Sequence, residues 1–167
     1  GTVATLNINP HTGRQGDMGI LDIMEAMGCR VGKEDDRVVV QGGSLSGVDV
    51  DMSAMPDMVP TLAALALFAK GKTAIRNAAH LRLKESDRLH AIATEWRKLG
   101  GRVEELSDGL IIHGGARLSR AAVDPHRDHR IAMSLAVVGL KVPGISLEDE
   151  GCVSKSCPAF WELWDTL

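Results

Sequence analysis

The chain has 167 residues, 44% of them hydrophobic and 25% charged, with a net charge of −3. That is enough apolar mass for a full core and is ordinary for a soluble globular protein. The negative balance, with only 3% aromatic residues and no tyrosine, argues against a broad nucleic-acid face, so no nucleic-acid partner is expected.

Three cysteines, Cys29, Cys152 and Cys157, are odd in number and form no CxxC pair. This usage suits a reducing compartment, and a cytoplasmic location is expected. Apolar runs such as Leu62 to Ala69 are too short to cross a bilayer, and no signal-like segment is present. The sequence starts at Gly1 and enters a strand-like run almost at once. A piece of a longer protein is therefore the expectation.

In chain order, Val3 to Ile8 reads as a strand, followed by a turn-rich loop from Pro10 to Gly16. Asp17 to Met27 has helical spacing and stops at Gly28. Short strands follow around Arg30–Val31 and Arg37 to Val40, with Lys33 to Asp36 at the hairpin tip. Val48 to Met52 is a strand. Met58 to Lys70 is an apolar helix with Pro60 in its first turn and Gly71 closing it. Thr73 to Asn77 is a strand, and Leu89, Ile92, Ala93, Trp96 and Leu99 mark one face of the next helix. A hairpin spans Arg102 to His113 with Ser107-Asp108-Gly109 at its tip. Ala121 to Val123 is a strand, Asp128 to Leu140 a buried helix, and Ile145 to Leu147 a strand. Pro158 opens a last short helix whose Trp161 and Trp164 are expected to seal the core.

Two passages repeat in phase. Met27-Gly28-Cys29-Arg30-Val31 matches Leu99-Gly100-Gly101-Arg102-Val103, and Val38 to Gly42 matches Leu110 to Gly114, both at a spacing of 72 residues (27 to 99, 38 to 110). Asp57 and Asp128, like Lys84 and Lys155, lie 71 apart. Four matches in phase indicate a repeated β-α-β-α-β-β unit in an α/β fold. The expected division is a half repeat over about 1–46, a full repeat over about 47–114 and an incomplete one over about 115–167.

Chemistry collects where these units hand a strand or loop to a helix. Leu81-Arg82-Leu83-Lys84-Glu85-Ser86-Asp87-Arg88 sits between a strand and a helix start. Free backbone N–H groups and the helix dipole favour anions at such a point. Pro56-Asp57, Asp128-His129-Arg130 and Lys155 lie at comparable places. Parallel packing of equivalent helices would bring these starts to one face. Lys84, Arg88, Arg130 and Lys155 would then serve anions, and Asp57, Glu85 and His129 would carry protons. A ligand with several negative groups fits that set. The plainer alternative, a solvated charged helix start, is the usual fate of such runs.

The Leu81–Arg88 stretch resembles the signature of the 5-enolpyruvylshikimate-3-phosphate synthase family. Asp51 to Asp57 with its alanine-rich helix, Asp128-His129-Arg130-Ile131-Ala132-Met133, and Lys155 in Val153-Ser154-Lys155-Ser156 match in the same order. The resemblance spans nearly the whole chain and implies the C-terminal part of the enzyme, most of one domain of an inside-out α/β barrel. It implies transfer of the enolpyruvyl group of phosphoenolpyruvate to the 5-hydroxyl of shikimate 3-phosphate, by addition and elimination, without metal or organic cofactor. It further implies Asp57 and Lys84 at the 5-hydroxyl and Glu85 at the methylene carbon. Arg88 and Arg130 would hold the phosphoenolpyruvate carboxylate, Lys155 its phosphate, and His129 would line the pocket. An N-terminal domain of the same chain would supply the opposite wall. The fragment alone would be inactive, and unpaired strand edges would favour its self-association.

Two positions depart from the family. His80 stands where many members carry an asparagine that touches shikimate 3-phosphate, and Cys157 replaces an aromatic before Pro158. The rival within the same architecture is a transferase acting on a UDP-sugar, which lacks the Lys-Glu-Ser-Asp-Arg stretch. A non-catalytic binding module is the rival of another class. Gly71-Lys72-Thr73 has the wrong strand–helix order for a phosphate loop. His126, His129, Cys152 and Cys157 fit no standard zinc spacing, so no metal is expected.

Overall fold

The structure, a computed structural model, describes residues 1–11 and 16–166. The first unit contains β1 (Thr2–Leu6), α1 (Ile20–Met27), β2 (Arg30–Lys33) and β3 (Arg37–Gln41). The second contains β4 (Asp49–Asp51), α2 (Val59–Leu67), β5 (Lys72–Arg76), α3 (Arg88–Lys98), β6 (Arg102–Leu106) and β7 (Gly109–His113). The third contains β8 (Ala122–Val123), α4 (His129–Gly139), β9 (Ser146–Leu147) and α5 (Phe160–Trp164).

Pairing repeats with the sequence. The sheets run β1-β3-β2, β4-β5-β7-β6 and β8-β9. β1 pairs antiparallel with β3 as β5 does with β7, and β2 with β3 as β6 does with β7. β4–β5 and β8–β9 are both parallel pairs joined by an apolar helix, the β-α-β connection that parallel strands require. The α/β fold of repeated β-α-β-α-β-β units is thus present.

Gly28 and Gly100, the matched glycines of the repeat, end α1 and α3 with φ of 112° and 91°. Only glycine adopts that conformation without steric cost. A Cβ on Gly28 would also stand 2.8 Å from the Ser44 carbonyl oxygen. Gly28→Ala is expected to cost about 1–2 kcal/mol, the penalty of a left-handed L-residue, read as a lowered urea midpoint.

α2 is apolar on nearly every side, with Val59, Leu62, Ala63, Ala66 and Leu67 buried, and it packs between α3 and α4. Trp96 of α3 is fully buried and donates its Nε1–H to the Ala63 carbonyl at 3.1 Å. That bond satisfies the one polar atom of the largest core side chain.

Several expectations shift. Of the loop from Pro10 to Gly16, residues 12–15 lie outside the described set. The helix expected from Asp17 begins as a 3-10 turn, Gly16–Gly19, because two glycines make a poor α-helical start. α2 ends at Leu67 rather than Lys70. The Phe68 and Ala69 N–H groups bond three residues back, to Leu65 and Ala66, and tighten the last turn. Trp161 and Trp164 do not seal the core: no residue of α5 is buried. They pack instead on each other and on Phe160, and Trp161 donates to the Glu150 carbonyl.

Candidate active site

The Leu81–Arg88 stretch sorts its side chains in two directions. Leu81 enters the core, and Leu83 is exposed. Arg82 donates to Asp87 and Glu105 at 2.8 Å each and to the Ser107 and Leu106 carbonyls, fixing the 3-10 turn Ala79–Leu83 to the β6–β7 hairpin. Asp87 caps α3, accepting from the His90 N–H. This half is scaffold.

Lys84, Glu85 and Arg88 face the other way. The Arg88 side chain is 2% exposed and binds three carboxylates. Its Nε meets Asp128 Oδ2 at 2.7 Å, Nη1 meets Asp57 Oδ1 at 2.8 Å, and Nη2 meets Glu85 Oε2 at 2.8 Å. Around this centre Lys84 lies 3.5 Å from Asp57, and Arg130 reaches the Asp57 carboxylate at 3.1 Å and its carbonyl at 3.2 Å. Lys155, at the end of the 3-10 turn Glu150–Lys155, donates to Glu85 Oε1 at 2.8 Å. The starts of α2, α3 and α4 and the Lys155 turn therefore share one face, with four cations set against three carboxylates.

The helix starts differ from the open anion sites expected of them. Asp87 occupies that of α3, and Asp128 occupies that of α4 by accepting the Arg130 N–H at 3.0 Å. Asp128 is fully buried, whereas the sequence marks it only as a helix opener. An aspartate directly before His-Arg at a helix start is an N-cap signal, and it is the one cue that could have placed it here. Ser86, whose hydroxyl donates to Asp128 at 3.2 Å, was also missed.

His129 is buried, and its Nδ1 has no hydrogen-bond partner among the described residues. His80 is exposed and makes no hydrogen bond or ion pair among them. The described residues hold no His, Cys, Asp and Glu cluster suited to a metal, and the cysteines are free. Beside the site a cavity of about 170 Å³ opens between α2 and α4, lined by Asp57, Thr61, Arg130, Met133, Ser134 and Phe160 among others.

The charges set the carboxyl groups. Burial pushes Asp57 up, but Arg130, Arg88 and Lys84 together hold it below the usual range. Glu85 is drawn down from 4.5 to about 2, first by the Lys155 hydrogen bond, then by its own backbone N–H and by Arg88. Because the folded value is depressed, Glu85 contributes its stability above about 4.5 and loses it as pH falls toward 2. Lys155→Met removes the largest cause. Its Glu85 carboxyl carbon should titrate by NMR closer to 4.5, with a flatter stability profile at acid pH.

A converging set of helix starts that presents lysines and arginines over carboxylates defines a site for a ligand with several negative groups. The family model of EPSP synthase (3-phosphoshikimate 1-carboxyvinyltransferase) matches residues 1–164, and the chain belongs to that family. The 3-phosphoshikimate 1-carboxyvinyltransferase of Syntrophobacter fumaroxidans is 54% identical over all of this chain and 40% of its own length. That of Methanoculleus marisnigri is 49% identical over 97% of this chain and 38% of its own. The EPSP synthase structure from Acinetobacter baumannii superposes with a TM-score of 0.84 at 27% identity, covering 99% of this chain and 41% of that one. The chain thus spans about two fifths of the length of these relatives. The enolpyruvyl transferase NikO from Streptomyces tendae, at 23% identity and a TM-score of 0.75, shares the fold. Among the described residues no helix is long and apolar enough to cross a membrane.

Proposed function

We propose that this chain forms one wall of an enzyme that transfers the enolpyruvyl group of phosphoenolpyruvate to the 5-hydroxyl of shikimate 3-phosphate and releases phosphate. The observation that carries this reading is the meeting of Lys84, Arg130 and Lys155 around the Arg88–Asp57–Glu85–Asp128 cluster. Two substrates with two phosphates and two carboxylates need such a set.

The roles are those the family resemblance implies, and exposure and geometry are compatible with them. Asp57, beside Lys84, takes the proton as the 5-hydroxyl oxygen bonds to C2 of phosphoenolpyruvate. Glu85 delivers a proton to C3, and elimination then removes that carbon's extra proton with phosphate. Arg130 presents a planar fork to the carboxylate, backed by buried Arg88, a geometry lysine cannot copy. Lys155, the most exposed of the four cations, takes the phosphate. His129 and His80 are assigned to the pocket wall and the shikimate side. No metal or organic cofactor enters these steps.

An N-terminal domain closing over this face completes the site, in the cytoplasm, and no nucleic acid or membrane takes part. The chain alone leaves its cations screened by water. β1, exposed along all five residues and, among the described residues, paired on one edge only, supports its self-association. The test assays phosphate release with both substrates. Full-length enzyme is expected to turn over, the chain alone not to, and activity should return when the N-terminal part is added. Full-length enzyme inert toward these two substrates would remove the reading.

A further inference from the structure

Glu95, on α3, is fully buried and plays no part in the steps above. It lies seven residues after Arg88, two helical turns along the same face. Its Oε2 accepts the Asp124 N–H at 3.0 Å and lies 2.9 Å from Lys98 Nζ, and its Oε1 lies 2.9 Å from His126 Nε2. Arg88, from the same face, holds Asp128. The segment from Asp124 to Asp128, which leads into α4, is therefore gripped by α3 at both ends.

That segment needs holding. His126 and Arg127 are consecutive non-glycine residues with φ of 54° and 56°, a left-handed pair that L-residues disfavour. Inside it the His126 N–H donates to the Asp124 carboxylate at 2.7 Å and the Asp128 N–H to the Pro125 carbonyl at 2.9 Å. A buried carboxylate tied to a backbone N–H and a ring nitrogen supplies the rest. Asp128 is the cap of α4, so its position sets where Arg130 emerges.

We propose that Glu95, through His126 and the Asp124 N–H, is a positioning residue for Arg130. It locks a strained turn so that α4 starts at the right distance from Arg88. The inference rests on the proposed function for its kinetic readout, but its structural readout is independent of that function. A rigid turn matters because the carboxylate-binding fork must be placed before substrate arrives, and a small displacement of such a group is costly.

The test uses the full-length enzyme. Glu95→Ala is expected to lose on the order of 10²-fold in kcat/KM for phosphoenolpyruvate, carried mainly by KM, with a much smaller change for shikimate 3-phosphate. Glu95→Gln keeps an acceptor for the Asp124 N–H and should fall between. His126→Ala, which removes the ring but keeps the left-handed strain, should shift kinetics in the same direction, and the double variant should lose less than the two single losses combined. Lys98→Met, which removes only the charge partner, should stay near wild type. In folded Glu95→Gln the Arg130 amide resonance should move. A Glu95→Gln enzyme with wild-type KM for phosphoenolpyruvate and an unmoved Arg130 amide overturns the proposal. If wild-type enzyme does not transfer enolpyruvate, the functional reading falls and the Arg130 amide alone decides this one.

Discussion

Replacing Arg88 with methionine is expected to lower the stability of this chain toward urea by about 3–5 kcal/mol. The side chain is 2% exposed and joins Asp57, Glu85 and Asp128, which come from the starts of three helices. Methionine would fill much of the volume but leave three carboxylates facing one another with their common cation gone. Arg130→Met is the control. That side chain is 31% exposed and shares Asp57 with two other cations, so its loss should cost no more than about 1 kcal/mol. The pH dependence has a definite sign. Asp57 and Glu85 have depressed folded values, so their contribution is complete above the ordinary carboxyl range and fades as pH falls through the folded ones. The gap between wild type and Arg88→Met should therefore be widest near neutrality and narrow in acid. Equal effects of the two substitutions in urea melts would show that Arg88 is not the organising centre.

Much of this was legible in the sequence because the repeat doubles the signal. The Gly28 and Gly100 stops, the hairpins that follow them and the apolar helices opened by Asp57 and Asp128 are each supported by a partner 71 or 72 residues away. The convergence of Asp57, Lys84, Glu85, Arg88, Arg130 and Lys155 followed from those repeats, since equivalent helix starts in packed units meet. Side-chain direction was not legible. Six charged or polar residues from Arg82 to Arg88 look alike in sequence, yet Arg82 and Asp87 bind the hairpin while Lys84, Glu85 and Arg88 turn to the site. Nor could sequence show that Arg88 and Asp128 lie inside the protein, because burial of charge depends on partners 31 and 40 residues away. The aromatic reading failed for a similar reason. Trp96 and Trp161 each donate to a backbone carbonyl, but Trp96 is fully buried against α2 whereas no residue of α5 is buried.

Glu85→Gln in the full-length enzyme is expected to reduce turnover by ~10²–10⁴-fold, the usual worth of a positioned proton donor, while shikimate 3-phosphate still binds. In the free site Glu85 cannot act as an acid at neutral pH: its carboxyl is held at about 2, chiefly by Lys155. On the proposed function, substrate binding would reverse that cause. A phosphate taken by Lys155 competes for the hydrogen bond that Glu85 Oε1 accepts. A carboxylate at Arg130 and Arg88 also adds negative charge beside Oε2. Both changes disfavour a second anion there, and closure against water adds to them, so the Glu85 pKa rises only when phosphoenolpyruvate is in place. On that proposal the proton would reach C3 at the step that needs it, while the empty site keeps Glu85 ionised as a structural partner of Arg88. The measurable consequence is a difference between two pH profiles. The basic limb of kcat, which reports the bound complex, should reflect a far higher carboxyl value than the one in the free enzyme. In deuterated water, Glu85→Gln should also suppress incorporation of solvent deuterium into the methylene carbon of phosphoenolpyruvate. Wild-type turnover with unchanged deuterium incorporation in Glu85→Gln would assign the proton to another group, and Asp57, the other partly exposed carboxylate sharing Arg88, would be the next to test.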